Sequence, residues 1–512
     1  MTSAEIVRDG DGTRTVARLR SPSICLISFS AIADDPRVRR QGDAFHDAGW
    51  AVYAVGLPGA RSPAPPWTIL TQEQLEQAQP IAESTSGILP KTVEAGPVTG
   101  EAFLSASIAP AHDAYSRIRR LYRSAFSETL RTQAYRFRFK LKSGVRNGAI
   151  RFRSKLKSGV RNGAMLRAIA LIATWRHRGR LLKPYFHQFI MRFRRDDGPE
   201  FYLKVPEVRR LYEITRLVKA DIYLANDWHT LPIAMRAARE TGNFFGYDTH
   251  EYALEEYRYR LAWRLFRRPL ARSVERVGFR GALVTSTVSA GIAEDMAREY
   301  GLSAPLLVIR NTPDRRDVEF RPCDGMMTVI FHGLIARDRG LEDCIRSVAL
   351  WRPEFKFVLR GPVSAEYRAE LDAIARECGV TDRVDFLPPV PMIDLIREAA
   401  KADIGISTPP KTSKHNIYAL PNKFFEYIQA GLALCIADLP DMGKIVKRHD
   451  LGLLIPEVTP EHIAQTINNF TVESVNRFKE NSRLAAAELN WQVERQRLVG
   501  AYTDALNRVR AT

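Results

Sequence analysis

Residues 407–438 read STPPKTSKHNIYALPNKFFEYIQAGLALCIAD. The segment begins at the end of an apolar run, passes through a polar loop with prolines, and enters a helical pattern near Asn422 that Gly431 ends. A second apolar run, 432–438, follows without a break. A strand, a loop, a helix and a strand in direct succession form a βαβ unit, which predicts a parallel sheet.

Apolar runs of strand length continue this alternation on both sides, and helical patterns separate most of them. In the second half they are MTVIFHG (327–333), KFVLRG (356–361), RVDFLPP (383–389), ADIGIST (402–408) and LGLLIP (451–456). In the first half they are SICLISFSA (23–31), WAVYAVGL (50–57), ADIYLAN (220–226) and ALVTSTVSA (282–290). Two such series predict an α/β fold of two Rossmann-like domains.

Length and composition agree with this architecture. A chain of 512 residues is too long for one core, and its hydrophobic fraction of 45% is ordinary for a globular protein. We predict one Rossmann-like domain over 1–320, a second over 321–490, and a C-terminal helix over 491–512 that packs back on the first domain. The five cysteines form no CxxC pair, and the first 20 residues contain no apolar secretory segment, so we expect a cytoplasmic protein.

The net charge of +18 is concentrated in one insertion. Residues 129–195 contain 19 Lys and Arg and no Asp or Glu, whereas the rest of the chain holds 57 basic and 58 acidic residues. Such a segment is typical of a surface that binds anions: a membrane, a nucleic acid or an acidic polymer. The alternative is a solvated basic face without a partner. We expect a helical insertion in the first domain, spanning about 112–200.

Within the insertion, two copies of one segment follow each other, RFRFKLKSGVRNGAI (136–150) and RFRSKLKSGVRNGAM (151–165). The apolar stretch AMLRAIALIATW (164–175) is too short to cross a bilayer and is flanked by arginines, as in segments that lie in a membrane interface. We therefore expect residues 129–195 to contact an anionic membrane. The phenylalanines between the arginines could instead stack on nucleic-acid bases, which is the less favoured alternative.

Ligands of open parallel sheets bind beyond the carboxyl ends of the strands. One such loop lies in FHGLIARDRGLEDCI (331–345), which offers Gly333 at a strand end, then Arg337 and Arg339 before a helix. A helix N-terminus and two guanidinium groups suit a diphosphate. Surface arginines are, however, usually only solvated, so this motif is weak when taken alone.

The loop and helix of 407–438 give a more specific prediction. Glu426 lies about one turn into the predicted helix, where a carboxylate can accept hydrogen bonds from both hydroxyls of a ribose. Lys423 adds a positive charge nearby. The alternative for Glu426 is a carboxylate that only interacts favourably with the helix dipole.

The segment PNKFFEYIQAGLALCIADLPDM (421–442) resembles the signature of the retaining family-four glycosyltransferases, particularly those of bacterial surface-polysaccharide pathways. Further resemblances occur in the family's order, and together they cover most of the chain outside roughly 60–200. They lie in ADDPRVRRQGDAFHDAGWAVYAVGLPG (33–59), YLANDWHTLPIAMRAARETG (223–242), YDTHEY (247–252) and the segment 288–314. The resemblance implies a GT-B architecture, in which the two domains face each other across a cleft. The first domain, 1–320, would bind the acceptor, and the second, 321–490, the nucleotide sugar.

The resemblance also implies roles for individual residues. Glu426 would bind the donor ribose, and Arg339, with Arg337 as the alternative, the diphosphate. The further donor-side residues are Gly333, Lys423, Asn422 and Asn416. Asp35 and Arg37 would face the acceptor, whereas His229, His250 and Glu251 would border the transferred sugar, with His250 the best candidate for a general base. No metal or other cofactor is expected, because arginines and helix N-termini can stabilise the leaving diphosphate.

One position departs from the family pattern. Many members have a first glutamate eight residues before the second, and here that position is Tyr418. Asn416 or backbone amides of 415–421 would have to contact the sugar instead. The expected function is transfer of a sugar from a nucleotide sugar to a glycan or polyprenyl-linked acceptor, with retention, at the inner face of the plasma membrane. The alternatives are a catalytically inactive GT-B scaffold and a nucleic-acid-binding protein.

Overall fold

The computed structural model of the protein describes residues 4–8, 14–18, 21–60, 62–72, 188 and 195–511. The basic insertion 129–195 and its two repeats therefore lie outside the described residues, apart from residues 188 and 195. Two compact units make up the chain. They are Met1–Phe244 with Ala262–Val277, and Phe245–Leu261 with Gly278–Thr512. The domain limits predicted at 320 and 490 stay a prediction.

Fifteen strands are described in these parts of the chain. They are β1 Ala4–Arg8, β2 Arg14–Arg18, β3 Ser23–Ile27, β4 Ala51–Val55, β5 Thr68–Leu70, β6 Ile222–Asn226, β7 Phe244–Thr249, β8 Thr285–Thr287, β9 Leu307–Val308, β10 Met327–His332, β11 Phe355–Arg360, β12 Val384–Leu387, β13 Ile404–Ser407, β14 Ala433–Ala437 and β15 Gly452–Ile455.

The α-helices of the described residues follow most of these strands. They are α1 Pro36–Asp47, α2 Gly198–Tyr202, α3 Pro206–Thr215, α4 Leu231–Thr241, α5 Arg268–Gly281, α6 Ala290–Tyr300, α7 Leu341–Val348, α8 Ala365–Glu377, α9 Leu395–Ala399, α10 Lys414–Ile417, α11 Asn422–Gln429, α12 Pro440–His449, α13 Pro460–Asn468, α14 Val472–Ala485 and α15 Trp491–Ala511.

Two large sheets confirm the predicted fold class. One has seven strands in the order β5-β4-β3-β6-β7-β8-β9, and the other six in the order β12-β11-β10-β13-β14-β15. All pairings in the six-stranded sheet are parallel. Parallel pairing also joins β3 to both β4 and β6 in the seven-stranded sheet. Strands β1 and β2 form a separate antiparallel pair.

Core packing explains why the strands of the second sheet appear as nearly continuous apolar runs. On β10, Val329 and Phe331 pack into one hydrophobic cluster, whereas Ile330 packs into another. Strand β14 does the same with Cys435 and Leu434. Successive side chains of a strand point to opposite faces, so this sheet is buried on both.

Candidate functional site

Strand order marks one position in the six-stranded sheet as a ligand site. Strands β10 and β13 pair side by side, and the chain winds outward from them in opposite directions, through β11 to β12 and through β14 to β15. In doubly wound sheets a crevice opens at the carboxyl ends of the strands where the winding reverses. The loops 333–340 and 408–421 lie at this reversal.

A cavity of about 310 Å³ lies at this point, and all of its lining residues belong to the unit of Phe245–Leu261 with Gly278–Thr512. We call it the switch-point cavity. Its lining residues are Phe331, Arg339, 407–409, His415, Asn416 and 419–423, together with His250, Glu251, Val288, Ile292 and Asn311.

Glycine brings the two loops of the switch point together. Gly340 has a φ of 70°, and a Cβ at this position would lie 2.5 Å from the carbonyl oxygen of Thr408. The Thr408 hydroxyl donates to the carbonyl oxygen of Arg339 at 3.0 Å. Only glycine allows both this left-handed backbone and this close approach. The contact fixes the backbone beside Arg339, whose side chain lines the cavity.

Helices α7 and α11 both begin at the switch point without a side-chain cap. Their N-cap residues are Gly340 and Pro421, and neither makes a side-chain hydrogen bond to the first turn. The N–H groups of a first helical turn have no partner within the helix and carry partial positive charge. Both helix starts can therefore accept an anionic ligand.

Lys423 and Arg339 add formal positive charge to the cavity wall. The Lys423 amine lies 3.6 Å from the centroid of the Phe331 ring. Burial lowers the pKa of Lys423 well below its usual value, the Arg339 guanidinium lowers it further, and Glu426 opposes the change. An incoming anion would relieve this unfavourable environment, so the pair is suited to a phosphate group.

Glu426 lies one turn into α11, as predicted, but it is not on the cavity wall. Its Oε2 lies 2.8 Å from Nε2 of His332, the last residue of β10, which is 1% exposed. His332 was not among the residues predicted from the sequence. The signal for it was a polar residue that ends an otherwise apolar strand directly before Gly333.

The other predicted donor-side residues divide into two groups. Asn422 and Asn416 line the cavity, and Asn422 accepts a hydrogen bond from Asn311 at 2.7 Å. Gly333 turns the chain with a φ of 113° but is not on the wall. Arg337 is also off the wall, because its guanidinium forms an ion pair with Glu370.

The pair His250–Glu251 lines the cavity as well. The His250 Nε2 lies 3.0 Å from the carboxylate of Asp248, which also accepts a hydrogen bond from Ser286. Glu251 lies 3.3 Å from Nε2 of His415, a lining residue that the sequence analysis did not single out. The cavity wall therefore combines cationic groups with one carboxylate, that of Glu251, among the described residues.

Tyr418 does not line the cavity. A Cβ at Gly291 would collide with its ring, which shows that the tyrosine packs against the start of α6. The adjoining Lys414 amine pairs with Asp295 at 2.8 Å, and Asp295 accepts a hydrogen bond from the Tyr252 hydroxyl at 2.5 Å. These contacts anchor the loop after β13 to neighbouring elements of the same unit.

Three predicted residues lie in the other compact unit. The Asp35 carboxylate caps α1 by accepting from the backbone N–H groups of Arg37 and Val38 at 3.1 and 3.2 Å. The Arg37 side chain is buried. The His229 ring packs 4.0 Å from that of Trp228, and burial lowers the pKa of His229 to about 4, with Arg267 adding to the effect and Asp227 opposing it.

Among the described residues, no group of three or more His, Cys, Asp or Glu side chains could hold a metal ion. Nor is any helix of those residues long and apolar enough to cross a membrane.

Comparison with known proteins agrees with this site. Residues 321–485 match the family model "Glycosyl transferases group 1", whereas no curated protein matches the chain. A sucrose-phosphate synthase from Thermosynechococcus elongatus has a similar structure, with a TM-score of 0.54 and 12% identity over 95% of this chain and 100% of that one. A glycosyltransferase from Rickettsia africae is similar with a TM-score of 0.54 and 10% identity, and the match covers 95% of this chain and 99% of that one.

At identities of 10–12%, these structural similarities show the fold alone, which is that of the GT-B glycosyltransferases. The family match contains both loops of the switch point, the start of α11 and the residues Arg339, Lys423 and Glu426. Residues 321–485 therefore form a group 1 glycosyltransferase domain, and the chain is a glycosyltransferase.

Proposed function

We propose that the enzyme transfers a sugar from a nucleotide sugar to a glycan or polyprenyl-linked acceptor, with retention of configuration, in cell-surface polysaccharide biosynthesis. The observation that carries the proposal is the switch-point cavity itself. At the carboxyl ends of β10 and β13, the cavity is bordered by two helix starts without side-chain caps and is lined by Arg339 and Lys423. Glu426 lies one turn into the second of these helices, α11. A diphosphate flanked by a ribose has the charge and shape that this arrangement accepts.

In the proposed donor complex, Arg339 and Lys423 bind the diphosphate and Glu426 binds the ribose. Asn422 and Asn416 contact the donor from the loop and helix after β13, since both line the cavity. Tyr418, packed on Gly291, takes no part in holding the sugar. His250 and Glu251 lie on the same wall and would border the transferred sugar.

During transfer the bond between the sugar C1 and the phosphate oxygen breaks, and a bond from C1 to the acceptor oxygen forms. The nucleoside diphosphate leaves with the bonding electrons, and the acceptor proton passes to its phosphate oxygen. Arg339, Lys423 and the helix starts stabilise the negative charge that develops, a type of interaction that often makes the largest contribution to catalysis. We propose that these groups suffice without a metal ion.

A panel of nucleotide sugars tests the proposal. Purified enzyme is screened by thermal shift and by release of nucleoside diphosphate, with and without lipid-linked acceptors. We expect one nucleotide sugar to raise the melting temperature and to be hydrolysed slowly without acceptor. The anomeric configuration of the product, determined by NMR, tests retention. Absence of any donor-dependent shift or turnover across the panel would contradict the proposal and favour an inactive scaffold.

We further propose that residues 129–195 attach the enzyme to the inner face of the plasma membrane, where a lipid-linked acceptor would arrive. The support is the charge pattern, since each basic residue near anionic lipid contributes roughly 1 kcal/mol. Liposome co-sedimentation compares the full chain with a variant in which a Gly/Ser linker replaces 129–195. We expect salt-sensitive binding of the full chain to anionic liposomes alone. Equal binding by the two proteins, or preference for RNA, would contradict this attachment.

A further inference from the structure

We propose that His332 is a positioning residue that orients the Glu426 carboxylate, and that this pair makes the site selective for ribonucleotides over 2′-deoxyribonucleotides. The inference rests on the proposed function, in which Glu426 binds the ribose. Glu426 alone would be a carboxylate at the end of a flexible side chain. Its 2.8 Å contact with the buried His332 ring is what restricts it.

The His332 ring is itself held firmly. It packs against the Tyr427 ring at 4.6 Å between centroids, and its backbone N–H donates to the Tyr427 hydroxyl at 3.1 Å. That hydroxyl donates to the carbonyl oxygen of Ile406 at 3.2 Å. Tyr427 thus connects the ends of β10 and β13 to α11, and the imidazole has little freedom to turn.

Burial also determines which ring nitrogen carries the proton. The His332 Nδ1 is buried and has no hydrogen-bond partner among the described residues. A buried N–H without an acceptor is costly, so the proton of the neutral ring belongs on Nε2, from which it is donated to Glu426. His332 therefore presents a fixed donor to one carboxylate oxygen.

The second carboxylate oxygen, Oε1 of Glu426, remains open. No hydrogen bond to it is found among the described residues, and 18% of the Glu426 side chain is exposed. With Oε2 held by His332, rotation of the carboxylate is restricted, and Oε1 stays available to a ligand. The two carboxylate oxygens can accept hydrogen bonds from two neighbouring ribose hydroxyls, whereas a 2′-deoxyribose leaves one acceptor without a partner.

The test measures affinities of UDP, GDP, ADP and CDP, each against its 2′-deoxy form, by calorimetry. For the nucleotide that binds, we expect wild-type enzyme to prefer the ribose form by about tenfold or more. His332→Leu should reduce this preference to below about threefold. His332→Gln should retain it, because the glutamine amide can reach Glu426 with an N–H, and His332→Asn should lose it, because the shorter amide cannot.

Ser482→Ala is the matched control. It removes a buried hydrogen bond of the same compact unit, donated by the Ser482 hydroxyl to the carbonyl oxygen of Leu432, that involves neither His332 nor Glu426. It should therefore lower the melting temperature and keep the ribose preference. Equal affinity of wild-type enzyme for both sugar forms would contradict the ribose role of Glu426 and with it the proposed donor site. A wild-type preference that persists in both His332→Leu and His332→Asn would overturn the role of His332 alone. If His332→Leu fails to fold, the contrast between His332→Gln and His332→Asn decides.

Discussion

The turns after β3 and β10 follow corresponding strands of the two sheets, but only the turn after β3 caps the next helix with a side chain. After β3, the carboxylate of Asp35 caps α1 by accepting two first-turn N–H groups. After β10, the N-cap of α7 is Gly340, which has no side chain and makes no side-chain cap. The position of β3 between β4 and β6 matches that of β10 between β11 and β13.

Among the described residues, this difference makes the turn after β10 suited to an anion and the turn after β3 unsuited to one. A capped helix start has its donors satisfied and a negative charge beside them, so it repels an anion. An uncapped start with cationic neighbours attracts one. In the second sheet, Arg339 and Lys423 provide those neighbours. The turn after β10 is therefore expected to bind phosphate, and the turn after β3 to stabilise helix α1.

The largest expected effect comes from removing the two cations that line the switch-point cavity, Arg339 and Lys423. Arg339→Ala and Lys423→Met should each lower kcat about 10²- to 10³-fold, because both groups stabilise charge that develops as the diphosphate leaves. Nucleoside affinity should change less. Steady-state kinetics and nucleoside binding by calorimetry measure the two quantities. Arg346→Ala, an exposed α7 residue paired with Asp343, is the control. Normal turnover in Arg339→Ala, Arg337→Ala and their double mutant would refute the diphosphate assignment.

Glu426→Ala should have the next largest effect. Loss of a charge-assisted contact to ribose costs about 1.5–3 kcal/mol, so nucleotide affinity should fall about 10- to 150-fold while the fold is retained. Calorimetry on the folded variant measures the change. Glu366→Ala, which removes an exposed carboxylate of α8, serves as the control. Unchanged nucleotide affinity would rule out the ribose role.

The elements were largely predictable from sequence, and the reason is physical. Strands β10, β13 and β14 of the six-stranded sheet are buried along most or all of their length, which leaves continuous apolar runs such as MTVIFHG (327–333) in the sequence. The start of α11 at Asn422 was predicted as well, because proline, a polar loop and the following glycine mark its ends.

The partners of side chains were not predictable in this way. No periodicity in the sequence relates His332 to Glu426, which are 94 residues apart and meet because α11 packs against the end of β10. Arg337 and Arg339 are both arginines and lie in the same loop, yet Arg337 pairs with Glu370 and Arg339 lines the cavity. Which way each side chain points is decided by tertiary packing.

The titration of Lys423 should make diphosphate binding depend on pH. Burial and Arg339 hold the pKa of Lys423 well below its usual value, and a bound diphosphate should raise it. Binding therefore takes up a proton at pH values between the two pKa values. Diphosphate affinity should fall by up to about tenfold per pH unit as the pH rises through that window.

Calorimetry of nucleoside diphosphate binding in buffers of different ionisation enthalpy measures this proton uptake. The matching nucleoside without phosphate should show no uptake, and Lys423→Met should abolish it. Proton release on diphosphate binding, or uptake that persists in Lys423→Met, would show that Lys423 does not contact the phosphates.

The smallest expected effect comes from Asp35, in the turn after β3. It tests whether the Asp35 carboxylate only caps α1 or also takes part in the reaction. If Asp35 acts as the α1 cap, Asp35→Ala should lower the free energy of unfolding by about 1 kcal/mol, and Asp35→Asn should restore it, because an asparagine oxygen caps equally well. A role for its charge at the acceptor would give a different pattern, in which Asp35→Asn keeps the stability but raises the KM for acceptor. Chemical denaturation and acceptor kinetics on the two variants distinguish the cases. A full loss of acceptor affinity in Asp35→Asn would show that the two turns differ less than their capping suggests, since a carboxylate that caps α1 would then also serve the reaction.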